Sequence, residues 1–288
     1  RAAGVPTGGA MDRFALAAAN LLVGNREGAG GLECALSGPE LEAVSPCLAA
    51  VTGADFQPLL NGHPTSTWTA FYMAPGDRLA FAGRRSGARA YIAFSGGLGG
   101  DRWLGSVGTY PLAGRGGVHG RPLKTGDVLV AEAAPARPLV AGRYLAPSLR
   151  PDYPVEPILA AIPGPHLRRI GAAGRRALFR EQWAVSRDAD RMGYRLDGPD
   201  LKPAGDELVS FGLAPGCLQL PQSGRPILLM ADGQTAGGYP VVAAVARVDL
   251  PHAAQLLPGD DLRFREVTVE AAQAEYRLRW SALEGLRG

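Results

Sequence analysis

Leu36-Ser37-Gly38-Pro39-Glu40-Leu41 returns in the second half of the chain as Leu196-Asp197-Gly198-Pro199-Asp200-Leu201. Pro75-Gly76-Asp77-Arg78-Leu79 returns in the same order as Pro258-Gly259-Asp260-Asp261-Leu262, and each first phrase is preceded by an Asp-Arg pair, Asp12-Arg13 and Asp190-Arg191. Gly-Pro and Pro-Gly-Asp turns also arise independently in β proteins, and the separations differ between the halves, so coincidence competes with duplication. Under duplication the chain is two β-barrels of one type, with a cleft between them suited to a ligand.

The periodicity around these phrases reads as mainly β. Met11 to Val23 is the exception: Phe14, Ala17, Ala18, Leu21 and Leu22 fall at helical spacing, with Asp12 at the start and Gly24 past the end. Short alternating runs follow at Leu48–Thr52, Thr67–Met73, Asp77–Phe81, Ala90–Phe94 and Asp127–Ala131. The proline-rich stretch Ala134–Pro154 loses periodicity, which divides the chain into domains 1–150 and 151–288. The second has an Arg-rich helix at Ala172–Gln182, strands at Glu207–Phe211, Cys217–Leu220 and Pro226–Met230, and an apolar run at Val241–Val248. Helices are expected at Pro251–Leu257 and over Val269–Leu286.

Composition narrows the chemistry. With 40 glycines and 24 prolines in 288 residues, a turn-rich β protein fits better than a helical bundle. The net charge of +3 comes from dispersed arginines without a basic block, which argues against nucleic acid. Only Lys124 and Lys202 are lysines. Arg121-Pro122-Leu123-Lys124-Thr125 lacks the glycine that precedes the lysine of a P-loop, so ATP is not expected to bind by that device. Cys34, Cys47 and Cys217 form no close pair and sit in apolar surroundings, so they read as small hydrophobes. His63, His119, His166 and His252 lack metal-ligand spacing, and no metal is expected. No apolar span of membrane length occurs, so the expectation is a cytoplasmic protein without a membrane partner.

Three clusters are candidate sites. Asp232-Gly233-Gln234-Thr235-Ala236-Gly237-Gly238-Tyr239-Pro240 follows the apolar run Pro226–Met230, where a strand ends and sites commonly sit. Gly237 and Gly238 allow close backbone approach, while Gln234, Thr235 and Tyr239 donate and accept; a plain tight turn also explains the composition. Ser186-Arg187-Asp188-Ala189-Asp190-Arg191-Met192-Gly193-Tyr194-Arg195 is either a solvated ion-pair surface or an inward-turned Arg191 held by Asp190 as a fork for a carboxylate, carbamate or phosphate. Around the first helix, Asp12 and Asn25 read as caps, whereas the polar Asn20 within the helix leaves a site open.

Taken together, Gly4-Val5-Pro6 with Ala10-Met11-Asp12, Asn20 with Val23-Gly24-Asn25, Asp190 to Leu196, Gln219, and Asp232 with Gln234-Thr235 and Gly237 to Pro240 resemble the carboxyltransferase A/B-domain family. That family includes the C subunit of 5-oxoprolinase, the allophanate hydrolase subunit 2 proteins, the kinase-inhibitor antagonist KipA and the carboxyltransferase part of urea carboxylase. The resemblance implies two cyclophilin-like β-barrels with a few short helices. It further implies one member of a 5-oxoprolinase complex, working with a KipI-like B subunit and with the A subunit. ATP would be bound with or on those partners, and the substrate would be a small amide or lactam. Arg191, Asp232, Gln234 and Tyr239 take catalytic roles in that picture: Arg191 binds a carboxylate, Asp190 orients it, and Asp232 is a base or an orienting acid. Gln219, Thr235, Gly237, Gly238, Asp12 and Asn20 would contact substrate. The alternatives are a urea carboxylase carboxyltransferase, which brings in biotin, and a non-enzymatic antagonist of a kinase inhibitor. The chain departs from the family at Gly8 and Ala189, where serine is common, at Ala236 for threonine and at Val107 for arginine. The family's extra N-terminal strand is reduced to Arg1, which leaves the first barrel expected to be incomplete.

Overall fold

The computed structural model describes residues 4–134, 140–206 and 208–287. It divides into two compact units, one of Gly8–Arg150 with Trp280–Gly288 and one of Arg1–Thr7 with Pro151–Arg279. Both are mainly β. The unit that begins at Gly8 contains α1 (Arg13–Leu22), β1 (Leu32–Ala35), β2 (Leu41–Glu42), β3 (Cys47–Asp55), β4 (Pro58–Leu60), β5 (His63–Pro64), β6 (Ala70–Met73), β7 (Arg78–Phe81) and β8 (Ser86–Phe94). The other contains β9 (Ile158–Pro163), α2 (Gly171–Arg180), β10 (Trp183–Val185), β11 (Gly193–Asp197), β12 (Phe211–Gly212), β13 (Cys217–Gln219), β14 (Ile227–Leu229), β15 (Ala236–Gly237), β16 (Val241–Val245), α3 (Leu250–Ala254) and β17 (Asp261–Glu266). The last helix, α4 (Val269–Ser281), follows.

In the first unit, strands pair as β1-β8-β3-β6 and β2-β7-β4-β5, two four-stranded sheets around one core of Val51, Phe56, Met73, Leu79 and Ile92. β3 is buried along almost its whole length, because the core covers one face and α1 the other. The helix starts where the Asp12 carboxylate accepts the Ala15 N–H at 2.9 Å, satisfying a donor that has no intrahelical partner. Thr52 of β3 donates to the Ala15 carbonyl at 2.7 Å, fixing helix to sheet. Phe14 is fully buried against Trp280, ring edge to ring face at 5.6 Å, a side-chain burial worth about 1.5–3 kcal/mol.

In the second unit, β10-β11-β14-β13-β16-β9-β17 closes into a barrel. Every pairing is antiparallel except β17 with β9, which is parallel. Trp183, Tyr194, Leu196, Leu218, Leu228, Leu262 and Phe264 are among its buried side chains, and alternate positions such as Arg195, Arg263 and Arg265 are exposed, the two-residue period of a strand with one buried face. β12 and β15 pair only with each other, as a small separate ribbon.

The repeated phrases adopt the same local structure in both units. Asp77 accepts the Ala74 N–H and Asp260 the Leu257 N–H, at 2.7 and 2.8 Å, and each turn closes with a return hydrogen bond at 3.0 Å. The glycine of each turn has positive φ, +89° at Gly76 and +92° at Gly259, a conformation that penalises any side chain. Each turn delivers the chain into a strand, β7 or β17. In the other phrase, a Cβ on Gly38 would lie 2.1 Å from the Phe81 ring and one on Gly198 would lie 2.6 Å from the Trp183 ring.

Not every expected element forms. Asp127–Ala131 is not a strand: Ala131 makes only an isolated bridge to Leu98, because the opposing segment turns through Gly96 and Gly97 at φ +91° and +68° and cannot carry a ladder. The strand expected at Glu207–Phe211 is confined to Phe211–Gly212, with Glu207 outside the described residues, as is Arg1. β9, β11 and β17 are strands that periodicity does not signal; β11 opens with a glycine, and the charged residues of β17 alternate with only two buried ones. Among the described residues, no helix is long and apolar enough to cross a membrane.

Gly38→Ala and Gly198→Ala are expected to lower stability by about 1–3 kcal/mol each, as forced overpacking against a buried ring does. Chemical denaturation checks this, and an unchanged midpoint for both would show that the rings have room to move.

Candidate functional site

The ladder between β11 and β14 runs on past both strands. Met230 N–H donates to the Met192 carbonyl at 3.0 Å and Asp232 N–H to the Arg191 carbonyl at 2.9 Å. That register sets the two side chains face to face. Arg191 Nε donates to Asp232 Oδ2 at 2.7 Å and Nη2 to Oδ1 at 3.2 Å, a forked pair with fixed orientation. The Asp232 side chain is 7% exposed and that of Arg191 31%, so the carboxylate is the buried anchor and the guanidinium reaches the surface. Gly233 follows because a Cβ there would stand 2.8 Å from the Met192 carbonyl.

The next residues build a second polar pair. Gln234 Nε2 donates to Gln219 Oε1 at 3.0 Å. Gln219 lies at the end of β13 and is 1% exposed; its own Nε2 has no hydrogen-bond partner among the described residues. A buried amide donor left unsatisfied costs about 1–3 kcal/mol, so an acceptor brought to this atom recovers that energy. Gly237 faces both amides: a Cβ there would lie 2.6 Å from Gln234 Nε2 and 3.1 Å from Gln219 Nε2. Gly238 is held by backbone, its carbonyl accepting from Leu208 N–H at 3.0 Å, and Thr235 Oγ1 donates to the Gly4 carbonyl at 3.1 Å. Tyr239 stands on the same segment, 37% exposed.

Two expected roles change. The residue that orients Arg191 is Asp232. Asp190 instead folds its own loop, its Oδ1 accepting from Met192 N–H at 2.8 Å and Gly193 N–H at 3.1 Å. Both oxygens of Asp232 face Arg191. Local sequence could not show this, because 41 residues separate the partners.

Asp12 and Asn20 lie in the other unit and hold structure there. Beyond capping α1, Asp12 donates its N–H to Tyr91 Oη, whose hydroxyl donates to Glu33 Oε2, both at 2.8 Å. Burial, and then the charges of Glu33 and Asp12, push the Tyr91 phenol well above its ordinary range, so it stays a neutral donor. Asn20 donates to the Glu27 and Ala29 carbonyls and accepts from Asn25 Nδ2; Asn25 in turn binds the Phe94 carbonyl and the Gly96 N–H. A polar residue inside a helix is explained by this tie to the following loop. His119 is an exposed loop residue at φ +56°. Among the described residues no three His, Cys, Asp or Glu side chains are grouped to hold a metal ion.

The closed barrel thus carries, where β14 ends, an amide pair beside a forked arginine. Residues 3–266 match the model of the carboxyltransferase domain, subdomain A and B, and the chain belongs to that family. It is 36% identical over 281 residues to the C subunit of 5-oxoprolinase from Escherichia coli, covering 94% of this chain and 86% of that protein. It is 33% identical to a putative urea carboxylase of Emericella nidulans, covering 91% of this chain and 22% of that one. Among solved structures, K. lactis urea amidolyase superposes with a TM-score of 0.91 at 27% identity, over 98% of this chain and 18% of that chain.

Burial, with a smaller contribution from Glu33, pushes the Cys34 thiol up to about 12, and burial with Asp77 raises Cys47. Thiolate is the reactive form, so Cys34 is expected to resist iodoacetamide at pH 8 in the folded protein and to react once unfolded. Mass-spectrometric mapping checks this, and rapid labelling of native Cys34 would contradict the burial described.

Proposed function

We propose that this chain is the C subunit of a cytoplasmic, ATP-dependent 5-oxoprolinase complex, cleaving 5-oxo-L-proline to L-glutamate as ATP is hydrolysed. The observation that carries the reading is the unpaired Gln219 Nε2 beside Gln234 and the bare Gly237, a seat for a carbonyl oxygen. Similarity along nearly the whole chain to two proteins named as 5-oxoprolinase C subunits, at 36% and 33% identity, supports 5-oxoproline as the owner of that oxygen.

Within this reading Arg191, held by Asp232, binds the substrate carboxylate. Gln219 and Gln234 hydrogen-bond the lactam carbonyl and stabilise negative charge as it develops there, with Tyr239 as a further donor. Neither lysine lies in a phosphate-binding loop motif, and Lys202 is paired with Asp200 at 3.3 Å. ATP is therefore assigned to the A and KipI-like B subunits, and no step on this chain runs through it.

A second reading, the carboxyltransferase subunit of a biotin-dependent urea carboxylase, is favoured by the superposition on K. lactis urea amidolyase. Urea offers a carbonyl oxygen to the same amide pair, and biotin would arrive on a partner.

The test is ATP-dependent glutamate release from 5-oxoproline by the purified chain with and without candidate A and B subunits. Turnover is expected only in the full mixture. Urea-dependent turnover in its place would replace the first reading with the second. In the active mixture Arg191→Ala is expected to abolish turnover; unchanged turnover would remove Arg191 from the mechanism. Gln219→Leu is expected to cut turnover about tenfold or more while changing thermal stability little, since it deletes an unsatisfied buried donor but also takes the acceptor from Gln234 Nε2, which belongs to an exposed side chain. Equal loss of both would make Gln219 a structural residue only.

A further inference from the structure

His166 precedes the short helical turn Leu167–Ile170 and carries no metal-ligand or catalytic spacing in the sequence. Its surroundings give it a task. The His166 N–H donates to the Val241 carbonyl at 3.1 Å, and the Val241 N–H donates back to His166 Nδ1, also at 3.1 Å. The imidazole thus stands in for a backbone carbonyl and extends the β9–β16 ladder beyond the Ala243–Pro163 and Val242–Gly164 contacts. Because Nδ1 accepts, the neutral ring carries its proton on Nε2.

Both neighbours of this ring belong to the frame of the amide pair. Val241 lies opposite Gln219 in the β13–β16 register and is 4% exposed, and Leu220 N–H donates to the Pro240 carbonyl at 2.8 Å. On its other side the imidazole packs on Phe211 at 5.1 Å between ring centroids, and Phe211 pairs with Gly237, the residue that faces both glutamine amides. One side chain therefore bears on both flanks of the segment that runs from Gln234 to Val241.

We infer that His166 is a positioning residue for the Gln219–Gln234 pair: it fixes the start of β16 through Val241 and the β12–β15 ribbon through Phe211. Its part in turnover rests on the oxoprolinase reading; its part in placing the amides does not. An asparagine in its place presents an acceptor at the δ position, whereas alanine leaves the Val241 N–H buried and unpaired.

The experiment uses the full chain, labelled with 15N, in three forms: wild type, His166→Ala and His166→Asn. Long-range 1H–15N spectra of the wild type are expected to show an unprotonated Nδ1 and a protonated Nε2 on His166; the opposite tautomer would overturn the inference whatever the variants do. The side-chain amide resonances of Gln219 and Gln234 are expected to shift in His166→Ala and to return toward wild type in His166→Asn. Unmoved resonances in His166→Ala would overturn the inference. If His166→Ala does not fold, the decision passes to the tautomer and to His166→Asn, whose Gln219 resonances must stay closer to wild type than those of Gln234, since the acceptor for Val241 is kept and the ring on Phe211 is lost. In the mixture with the A and B subunits, kcat is expected to fall about tenfold or more in His166→Ala and to recover in His166→Asn, since small misplacement of polar groups costs rate steeply. If the wild-type mixture has no turnover, the oxoprolinase reading fails while the NMR result still decides the role of His166.

Discussion

The forked contact between Arg191 and Asp232 is the interaction on which the site rests. It exists because the β11–β14 ladder continues for two more backbone hydrogen bonds after the strands end, which brings residues 41 positions apart into register. A nearly buried carboxylate in this setting requires a partner, because an unpaired buried charge is far costlier than the net worth of the pair. With the guanidinium so held, Gly233 must be bare to pass the Met192 carbonyl, and the chain then turns so that Gln234 meets Gln219. Each step narrows the next, and the outcome is a polar segment just past the end of β14.

The repeated phrases match at the level of atoms as well as letters. Asp77 and Asp260 close the same turn with the same two hydrogen bonds, and Gly38 and Gly198 each leave room for an aromatic ring. The halves then diverge. One closes seven of its nine strands into a ring through the parallel β9–β17 pairing, while the other folds eight into two sheets. Their polar residues diverge too. Asp12, Tyr91 and Glu33 form an internal network in the first unit, whereas the second leaves Gln219 with a buried, unpaired donor.

Much of the fold was legible in sequence because its signals are local. The α1 cap at Asp12, the apolar runs of β3, β8 and β16, and the two Pro-Gly-Asp turns are read within a few residues. Among the strands that escaped, β11 and β17 carry exposed arginines and owe their existence to neighbours across the barrel. The same division holds at the site. Gln234 stood out as a polar group at a strand end, Arg191 as an arginine that could turn inward and Gln219 only through the family resemblance, but the residue that pairs with Arg191 is Asp232 and not Asp190, and nothing in the letters around His166 shows that its ring replaces a carbonyl. Those assignments depend on register, which no short window of sequence encodes. Asn20 went the other way: its polarity serves a helix-to-loop tie.

The central claim is that Gln219 Nε2 is the open donor of a substrate seat. A crystal structure of the chain soaked with 5-oxoproline tests it most directly. The lactam oxygen is expected within hydrogen-bond distance of Gln219 Nε2, with the substrate carboxylate on Arg191. A lactam bound elsewhere, with Gln219 Nε2 still unpaired, would contradict it.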